Sequence, residues 1–235
     1  MKVLKSPNFD DRSGAGIKYL ILHYTGMATG AEALERLYDP QAKVSAHYLV
    51  EEDGEIYKLV DEDKRAWHAG ASKWEEDDTI NDLSIGIEIV NSGHAYPGYE
   101  SIYRDFPEAQ MAAVISLAQK IIDRHDIKPC YVLGHSDVAW RRKIDPGELF
   151  DWEKLSKNGV GCWPVDSSEQ MDIKVDLDEL LRNLQAYGYD IADCKNNPSE
   201  IITAFQRHFR QDNIDGKLDA ETMQRLGSLL EQKLS

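Results

Sequence analysis

Three short apolar segments, each carrying a glutamate or leading to a histidine, constrain the fold more than any other feature of the sequence. They cover residues 18–23, 83–90 and 131–133. Apolar runs of this length, rich in Ile, Leu, Val and Tyr, predict buried strands. Functional groups gather at strand ends in an α/β sheet, so we expect His23, Glu88 and His135 to be neighbours.

Alternation within the second segment predicts the direction of Glu88. Residues two apart in a strand share a face, so Ile85, Ile87 and Ile89 lie on one face of the strand. Gly86 and Glu88 lie on the other face. We therefore expect Glu88 to point away from the core that the three isoleucines form.

Periodicity elsewhere predicts helices around a sheet. Residues 30–38 and 107–125 have apolar side chains at helical spacing. Residues 45–50 and 55–60 form strand-like runs on either side of a Glu-Glu-Asp-Gly turn, which predicts a hairpin. The predicted fold class is α/β, with a central mixed β-sheet flanked by helices.

The carboxyl-terminal part of the chain is typical of helices alone. Apolar spacing predicts three short helices within residues 175–235, with Gly188 ending the first and Asp219 capping the third. Residues 165–174 are polar and predict a linker. We therefore predict two domains, 1–164 and 175–235, of which the second is a small three-helix unit.

The composition excludes several kinds of partner. Among 235 residues, 27 basic and 42 acidic side chains give a net charge of −15. Nucleic acids and anionic membranes attract clustered Lys and Arg, so we expect neither as a general partner. No apolar run reaches the ~18 residues of a membrane span, so we expect no membrane-spanning segment. We expect the protein to be a monomer. Three widely separated cysteines make no disulfide framework, although one bridge stays open in an oxidising compartment.

The amino terminus leaves the compartment open. Its first residues, MKVLKSPNFDDRSG, lack the apolar stretch of ~7–15 residues in a secretory signal. The sequence as it stands favours the cytoplasm. If a signal was removed, we expect a periplasmic or outer-membrane-associated protein.

Asp145 follows His135 at a spacing that suits a metal site. A loop of ten residues can turn back so that imidazole and carboxylate face one point. With His23 they make two histidines and one carboxylate, which together with an open fourth position is typical of catalytic zinc. Such a zinc activates water or polarises a carbonyl. No HExxH motif is present, so the arrangement is not that of the helix-borne metalloproteases.

Five stretches resemble the type-2 N-acetylmuramoyl-L-alanine amidases, a family related to the peptidoglycan recognition proteins and to phage amidase lysozymes. They occur in the family's order between residues 6 and 160. The resemblance implies a zinc enzyme that hydrolyses the amide between N-acetylmuramic acid and L-alanine in peptidoglycan or muropeptides, in cell-wall degradation or recycling. The stretches are ILHYTG (21–26), SAHYLV (45–50), AWHAG (66–70), SIGIEIVN (84–91) and GHSDVAWRRKIDPGELFDW (134–152).

The resemblance also implies roles for single residues. His23, His135 and Asp145 correspond to the family's zinc ligands. Glu88 corresponds to the carboxylate that takes a proton from the attacking water, and Lys143 to the lysine that stabilises the developing oxyanion. Without the resemblance, Glu88 would be expected as a plain surface carboxylate, and Lys143 as part of a solvated basic run.

Four further residues are candidates for substrate binding. Arg142 belongs to the basic run 141–143, which interrupts an acidic protein beside a metal ligand and favours an anionic substrate. His47 and His68 lie where the family is regular, with a histidine hydrogen-bonded within the sheet or loop as the alternative. Asn91 follows a predicted strand and is a candidate cleft residue. We expect surface positions for His94, His125 and His208.

The predicted carboxyl-terminal helices resemble the three-helix peptidoglycan-binding domain. The resemblance lies in LQAYGY (184–189), ITAFQRHF (202–209) and IDGKLDAET (214–222). Two other functions stay open for the whole chain. One is recognition of muropeptide without cleavage, which in relatives of the fold accompanies loss of a zinc ligand. The other is zinc-dependent cleavage within the stem peptide.

Overall fold

The computed structural model describes residues 1–14, 16–96, 98–165 and 175–234. In these ranges the chain forms a six-stranded sheet, a two-stranded sheet and helices that pack on both faces of the larger one. The strands are β1 (Lys2–Val3), β2 (Phe9–Asp11), β3 (Tyr19–Tyr24), β4 (Tyr48–Val50), β5 (Ile56–Lys58), β6 (Lys64–Ala66), β7 (Ser84–Ile89) and β8 (Val132–Gly134). The helices are α1 (Gly30–Tyr38), α2 (Ile80–Leu83), α3 (Glu108–His125), α4 (His135–Val138), α5 (Trp152–Lys157), α6 (Leu177–Tyr187), α7 (Ser199–Phe209) and α8 (Ala220–Leu234).

The large sheet has the strand order β1-β5-β4-β7-β3-β8. Strands β4 and β5 pair antiparallel, as the predicted hairpin requires, whereas β7, β3 and β8 pair in parallel. The predicted α/β class with a central mixed sheet is confirmed. The parallel register places His23 beside Glu88 and Leu22 beside Gly134, which directly precedes His135. Three candidate residues therefore meet at the carboxyl ends of neighbouring strands.

Strand β7 has the two unlike faces that its alternation predicts. Ile85, Ile87 and Ile89 are fully buried in an apolar cluster with Val114 of α3. Glu88 is the one partly exposed residue of the strand. The core contacts of the isoleucines hold β7 in register and leave Glu88 facing the other side of the sheet.

The three carboxyl-terminal helices pack on the sheet face opposite α3. Tyr19 and Ile21 of β3 share one buried apolar cluster with Leu180 of α6, Phe205 of α7 and Leu226 of α8. The predicted helices are therefore present, and they share a common core with the sheet.

The predicted linker 165–174 lies mostly outside the described residues, which omit 166–174. The division into domains 1–164 and 175–235 therefore stays a prediction. All three cysteines are buried and free, so the bridge that the sequence left open is not formed. No helix in the described ranges combines the length and the apolar character needed to cross a bilayer.

Candidate active site

Two histidines and one aspartate meet in a buried cluster at the carboxyl ends of β3 and β8. His23 Nδ1 lies 2.9 Å from His135 Nδ1 and 3.0 Å from Asp145 Oδ2. His135 Nδ1 lies 2.9 Å from the same carboxylate oxygen. The three atoms form a triangle of potential metal ligands, and all three residues are buried.

Local structure brings Asp145 back to His135. Strand β8 ends at Gly134, and α4 begins at His135 and stops after one turn at Val138. The chain then folds back, and the amide of Ser136 donates to the Asp145 carbonyl over 2.9 Å. The loop thus directs imidazole and carboxylate to one point, as the spacing predicts.

The donor chemistry of the cluster fits a zinc ion. His135 Nε2 donates to the carbonyl oxygen of Ala69 over 2.9 Å, so in the neutral ring Nδ1 presents a lone pair toward Asp145. A lone pair and a carboxylate oxygen at this distance repel each other unless a proton or a cation lies between them. Two imidazole nitrogens and one carboxylate are the ligand types of catalytic zinc sites.

The surroundings of the cluster favour the protonation states that metal binding requires. Burial, together with the nearby His135, lowers the pKa of His23 to about 4 against the opposing effect of Asp145. Burial opposes ionisation of Asp145, but the charge and hydrogen bonds of the two histidines hold its pKa well below the usual range. A neutral His23 and an ionised Asp145 are the forms that bind a metal ion.

The cluster opens into a cleft of about 610 Å³, a size that suits a small organic ligand. The lining of the cleft includes the metal candidates, His68 and Glu88, and also basic and aromatic residues that were not predicted as site residues. Those residues are Tyr24, Arg36, Trp67, Tyr96 and Tyr99.

Glu88 is a carboxylate of this cleft that forms no hydrogen bond among the described residues. Its Oε2 atom is buried and has no partner among the described residues. Burial, together with the negative charge of Asp145, raises the pKa of Glu88 to about 8 against the opposing charges of Lys143 and Arg36. A carboxyl group that titrates near neutral pH is suited to both taking and giving a proton.

The three basic residues at 141–143 point in different directions. Lys143 lines the cleft and forms no ion pair or hydrogen bond through its ammonium group within the described part of the chain. Arg142 also lines the cleft, but its Nε donates to the Ala71 carbonyl over 2.8 Å. Arg141 turns away and pairs with Asp190 at 2.6 Å. The run is therefore not one solvated patch.

His68 lines the cleft, and the His47 ring lies next to it, with the two ring centroids 5.7 Å apart. His68 Nδ1 lies 3.0 Å from His23 Nε2. His47 is fully buried; its Nδ1 accepts from the Gly86 amide over 2.9 Å, and its Nε2 lies 3.1 Å from the Lys64 carbonyl. For His47 this geometry matches the alternative of a histidine hydrogen-bonded within the sheet.

Asn91 is a buried residue that holds the loop after β7. Its side-chain amide donates to the Arg104 carbonyl over 2.8 Å and accepts from the Gly93 amide over 3.0 Å. The lining of the cleft, as far as the structure describes it, includes neither Asn91 nor His47. The geometry thus supports a structural role for both.

The predicted surface position was wrong for His208, whereas His94 and His125 are partly exposed but have partners that the sequence did not predict. His94 lines the cleft, with its Nε2 3.0 Å from Glu148 Oε1. His208 is 2% exposed, and its Nδ1 lies 2.7 Å from Asp137 Oδ2. His125 is partly buried and pairs with a glutamate. Their partners lie 54 to 71 positions away in sequence, and no local pattern indicates such pairs.

Residues 13–148 match the family described as N-acetylmuramoyl-L-alanine amidase. The N-acetylmuramoyl-L-alanine amidase AmiD of Escherichia coli K12 is 39% identical over 232 residues, which cover 92% of this chain and 83% of that protein. The 1,6-anhydro-N-acetylmuramyl-L-alanine amidase AmpD of Haemophilus influenzae is 32% identical over 170 residues, 64% of this chain and 88% of that protein.

Solved structures share the fold over almost the whole chain. The E. coli AmiD complex with anhydro-N-acetylmuramic acid-L-Ala-D-gamma-Glu-L-Lys has a TM-score of 0.83 and 36% identity, covering 96% of this chain and 98% of that one. AMPDH3 of Pseudomonas aeruginosa has a TM-score of 0.85 and 33% identity, covering 100% of both chains. The carboxyl-terminal helices therefore lie within the shared fold.

Proposed function

The chain belongs to the N-acetylmuramoyl-L-alanine amidase family, and from this premise we propose how its cleft hydrolyses the amide between N-acetylmuramic acid and L-alanine. As a member of this family the enzyme cuts that bond in peptidoglycan or muropeptides. One observation carries the proposal. The triangle of His23, His135 and Asp145 shares a cleft with Glu88, a carboxylate that forms no hydrogen bond in the described part of the chain.

We propose that His23, His135 and Asp145 hold a zinc ion. Their atoms lie 2.9 to 3.0 Å apart, are shielded from water and comprise the ligand types that zinc prefers. Zinc held there supplies Lewis-acid polarisation of the scissile carbonyl and activation of the attacking water.

Glu88 is the proposed general base and, later in the reaction, the general acid. It takes a proton from the water that attacks the lactyl carbonyl of the muramic acid. The same carboxyl then gives a proton to the departing amine of L-alanine. Burial raises the pKa of Glu88 to about 8, into the range in which a carboxyl group can both take and give a proton near neutral pH.

Lys143 is the proposed stabiliser of the oxyanion. Its ammonium group lines the cleft without a carboxylate partner among the described residues, so its charge is not neutralised before substrate binds. A fixed charge placed where negative charge develops lowers the barrier more than one that must first leave a partner.

The proposed substrate is a muropeptide with carboxylates on its stem peptide. Arg142 and Lys143 border the cleft of an otherwise acidic chain and would attract these groups. The structurally similar E. coli enzyme has a solved structure in complex with an anhydro-muramyl peptide as substrate. Arg142 is the substrate-binding candidate that the geometry supports most directly.

We also propose that residues 175–235 form a peptidoglycan-binding domain joined by the linker 165–174. The support is the resemblance of three segments to such domains, together with three helices at the predicted places. Their packing against the sheet would hold bound polymer at a fixed distance from the cleft.

Product analysis by mass spectrometry tests the proposed reaction. The zinc-loaded chain should convert anhydro-N-acetylmuramic acid-L-Ala-D-gamma-Glu-L-Lys into the free anhydro sugar and the intact peptide, and chelation should abolish the conversion. A cut within the peptide, or binding without any product, would contradict the proposal. The same chain should sediment with insoluble sacculi if residues 175–235 bind polymer, and stay in solution if they do not.

A further inference from the structure

His68 is locked in place beside the candidate metal cluster. Its ring packs over Gly86 of β7, where an added Cβ would lie 2.5 Å from the His68 ring. One ring nitrogen faces His23 and the other faces Ser84 at the start of β7. Gly86 is therefore required to admit a ring that bridges these two residues.

A chain of hydrogen bonds runs from a backbone carbonyl to His23. Ser84 Oγ lies 2.5 Å from the carbonyl oxygen of Ile80. His68 Nε2 lies 3.1 Å from Ser84 Oγ, and His68 Nδ1 lies 3.0 Å from His23 Nε2. Ser84 Oγ has no further partner in the described structure. Each of these three contacts is a hydrogen bond, so each needs one donor and one acceptor.

The carbonyl group of Ile80 determines which atom donates in every hydrogen bond of this series. A carbonyl oxygen only accepts, so the single hydroxyl proton of Ser84 points to Ile80. Ser84 Oγ can then only accept, which requires a proton on His68 Nε2. Both rings are buried and neutral, so His68 Nδ1 carries a lone pair that must accept from His23 Nε2.

The consequence for His23 is a fixed tautomer. With its proton on Nε2, His23 presents the Nδ1 lone pair to Asp145 and His135. His135 is held in the same Nε2-protonated tautomer by a single hydrogen bond, because its Nε2 donates directly to the Ala69 carbonyl. Both histidines are thus anchored to a backbone carbonyl, but only His23 depends on two intervening side chains.

We propose that His68 and Ser84 are positioning residues that fix His23 in the Nε2-protonated tautomer, so that Nδ1 is free to bind the metal ion. This inference rests on the proposed zinc site. It reassigns His68, predicted from sequence as a substrate-binding residue, because both of its ring nitrogens are already engaged. Outer hydrogen bonds of this kind typically change metal affinity by ~10–100-fold.

Ser6 offers a matched control for Ser84. Both serines are buried, and Ser6 Oγ donates to the Leu37 carbonyl over 2.6 Å. No hydrogen bond in the described structure joins Ser6 to a histidine. Ser6→Ala therefore removes the same buried hydroxyl and the same bond to a carbonyl without touching the chain that leads to His23.

The test combines zinc affinity with nuclear magnetic resonance of the histidine nitrogens. In the metal-free wild-type chain at neutral pH, His68 should carry its proton on Nε2 and none on Nδ1, and Nε2 of His23 should carry a proton. Ser84→Ala should lower zinc affinity at least tenfold, measured by chelator competition, whereas Ser6→Ala should change it less than twofold.

Two results would overturn the proposal. One is a proton on Nδ1 of His68, or the lack of a proton on Nε2 of His23, in the metal-free wild-type chain, which needs no variant to fold. The other is equal zinc affinity in Ser84→Ala and Ser6→Ala. A wild-type chain that binds no zinc contradicts the proposed function instead, and the nitrogen spectra still decide the tautomers.

Discussion

The two histidines of the candidate metal site are held by different parts of the molecule. His23 lies on the central strand β3, and its supporting residues His68 and Ser84 come from the same sheet and its loops. His135 begins the single helical turn α4 after β8, and the loop that follows α4 carries Asp145. This segment is supported from outside the sheet, by the carboxyl-terminal helices.

Asp137 joins this segment to the helices. It is fully buried, its Oδ1 accepts from the Tyr189 hydroxyl over 2.6 Å, and its Oδ2 lies 2.7 Å from His208 Nδ1. Oδ2 also accepts from the amide of Gly134, the residue before His135, over 2.7 Å. The helices thus form part of the scaffold of the site, in addition to any role in binding polymer.

The His208 ring shows how firmly this contact is built. It stacks between Trp152 of α5 and Phe209 of α7, with ring centroids 3.7 Å away on each side. A ring held on both faces cannot turn away from Asp137. The loop half of the site, with His135 and Asp145, therefore depends on tertiary packing. The sheet half, with His23, depends on strand register.

The largest effect that separates the two halves is expected for Lys143, on the loop. Lys143→Ala should lower kcat on a muropeptide by ~10²–10³ because the oxyanion loses its positive charge. Zinc affinity should stay unchanged, since Lys143 is not a ligand. Steady-state kinetics and zinc titration measure the two quantities.

Arg141→Ala is the matched control for this change. Arg141 has the same charge two positions away, but it pairs with Asp190 on the side of the helices. Its removal should leave kcat within about threefold of wild type. Equal losses of kcat in the two variants would show that general positive charge, rather than the position of Lys143, supports the reaction.

A smaller effect is expected where the helices hold the loop. Tyr189→Phe keeps the ring packing against Trp74 and removes only the hydroxyl bond to Asp137. Leaving a buried carboxylate oxygen without this donor should lower the free energy of unfolding by ~1–3 kcal/mol. Denaturant unfolding measures this loss, and amide exchange should quicken at Gly134 while β3 stays protected.

Tyr187→Phe provides the comparison for that experiment. Tyr187 packs against the same Trp74, and its hydroxyl makes no hydrogen bond among the residues described. Removal of the Tyr187 hydroxyl should lower the free energy of unfolding by less than about half of the loss in Tyr189→Phe. If the amides of β3 and Gly134 lost their protection from exchange together in Tyr189→Phe, the loop half and the sheet half of the site would be a single unit. Their separate support would then be contradicted.

The same distinction explains what the sequence could predict. The alternation of Ile85, Ile87 and Ile89 is a local signal, and it correctly predicted the face on which Glu88 lies. The fold class and the hairpin follow from equally local patterns. The loop half is different, because Asp137 meets Tyr189 and His208 across 52 and 71 positions.

Contacts over such distances leave no periodic trace in one sequence. His208 was therefore expected at the surface, and the role of the helices in supporting the loop was missed. Ser84 was missed for another reason: a lone serine at a strand start carries no signal until the ring of His68 is seen beside it.

Replacement of Glu88 tests the central claim most directly, because that claim joins a metal site and a separate base in one cleft. Glu88→Gln keeps the shape of the side chain and removes its ability to take a proton. The variant should bind one zinc ion as tightly as wild type and hydrolyse a muropeptide ~10²–10⁴ times more slowly. Hydrolysis at the wild-type rate by the zinc-loaded variant would remove Glu88 from the mechanism and contradict the claim.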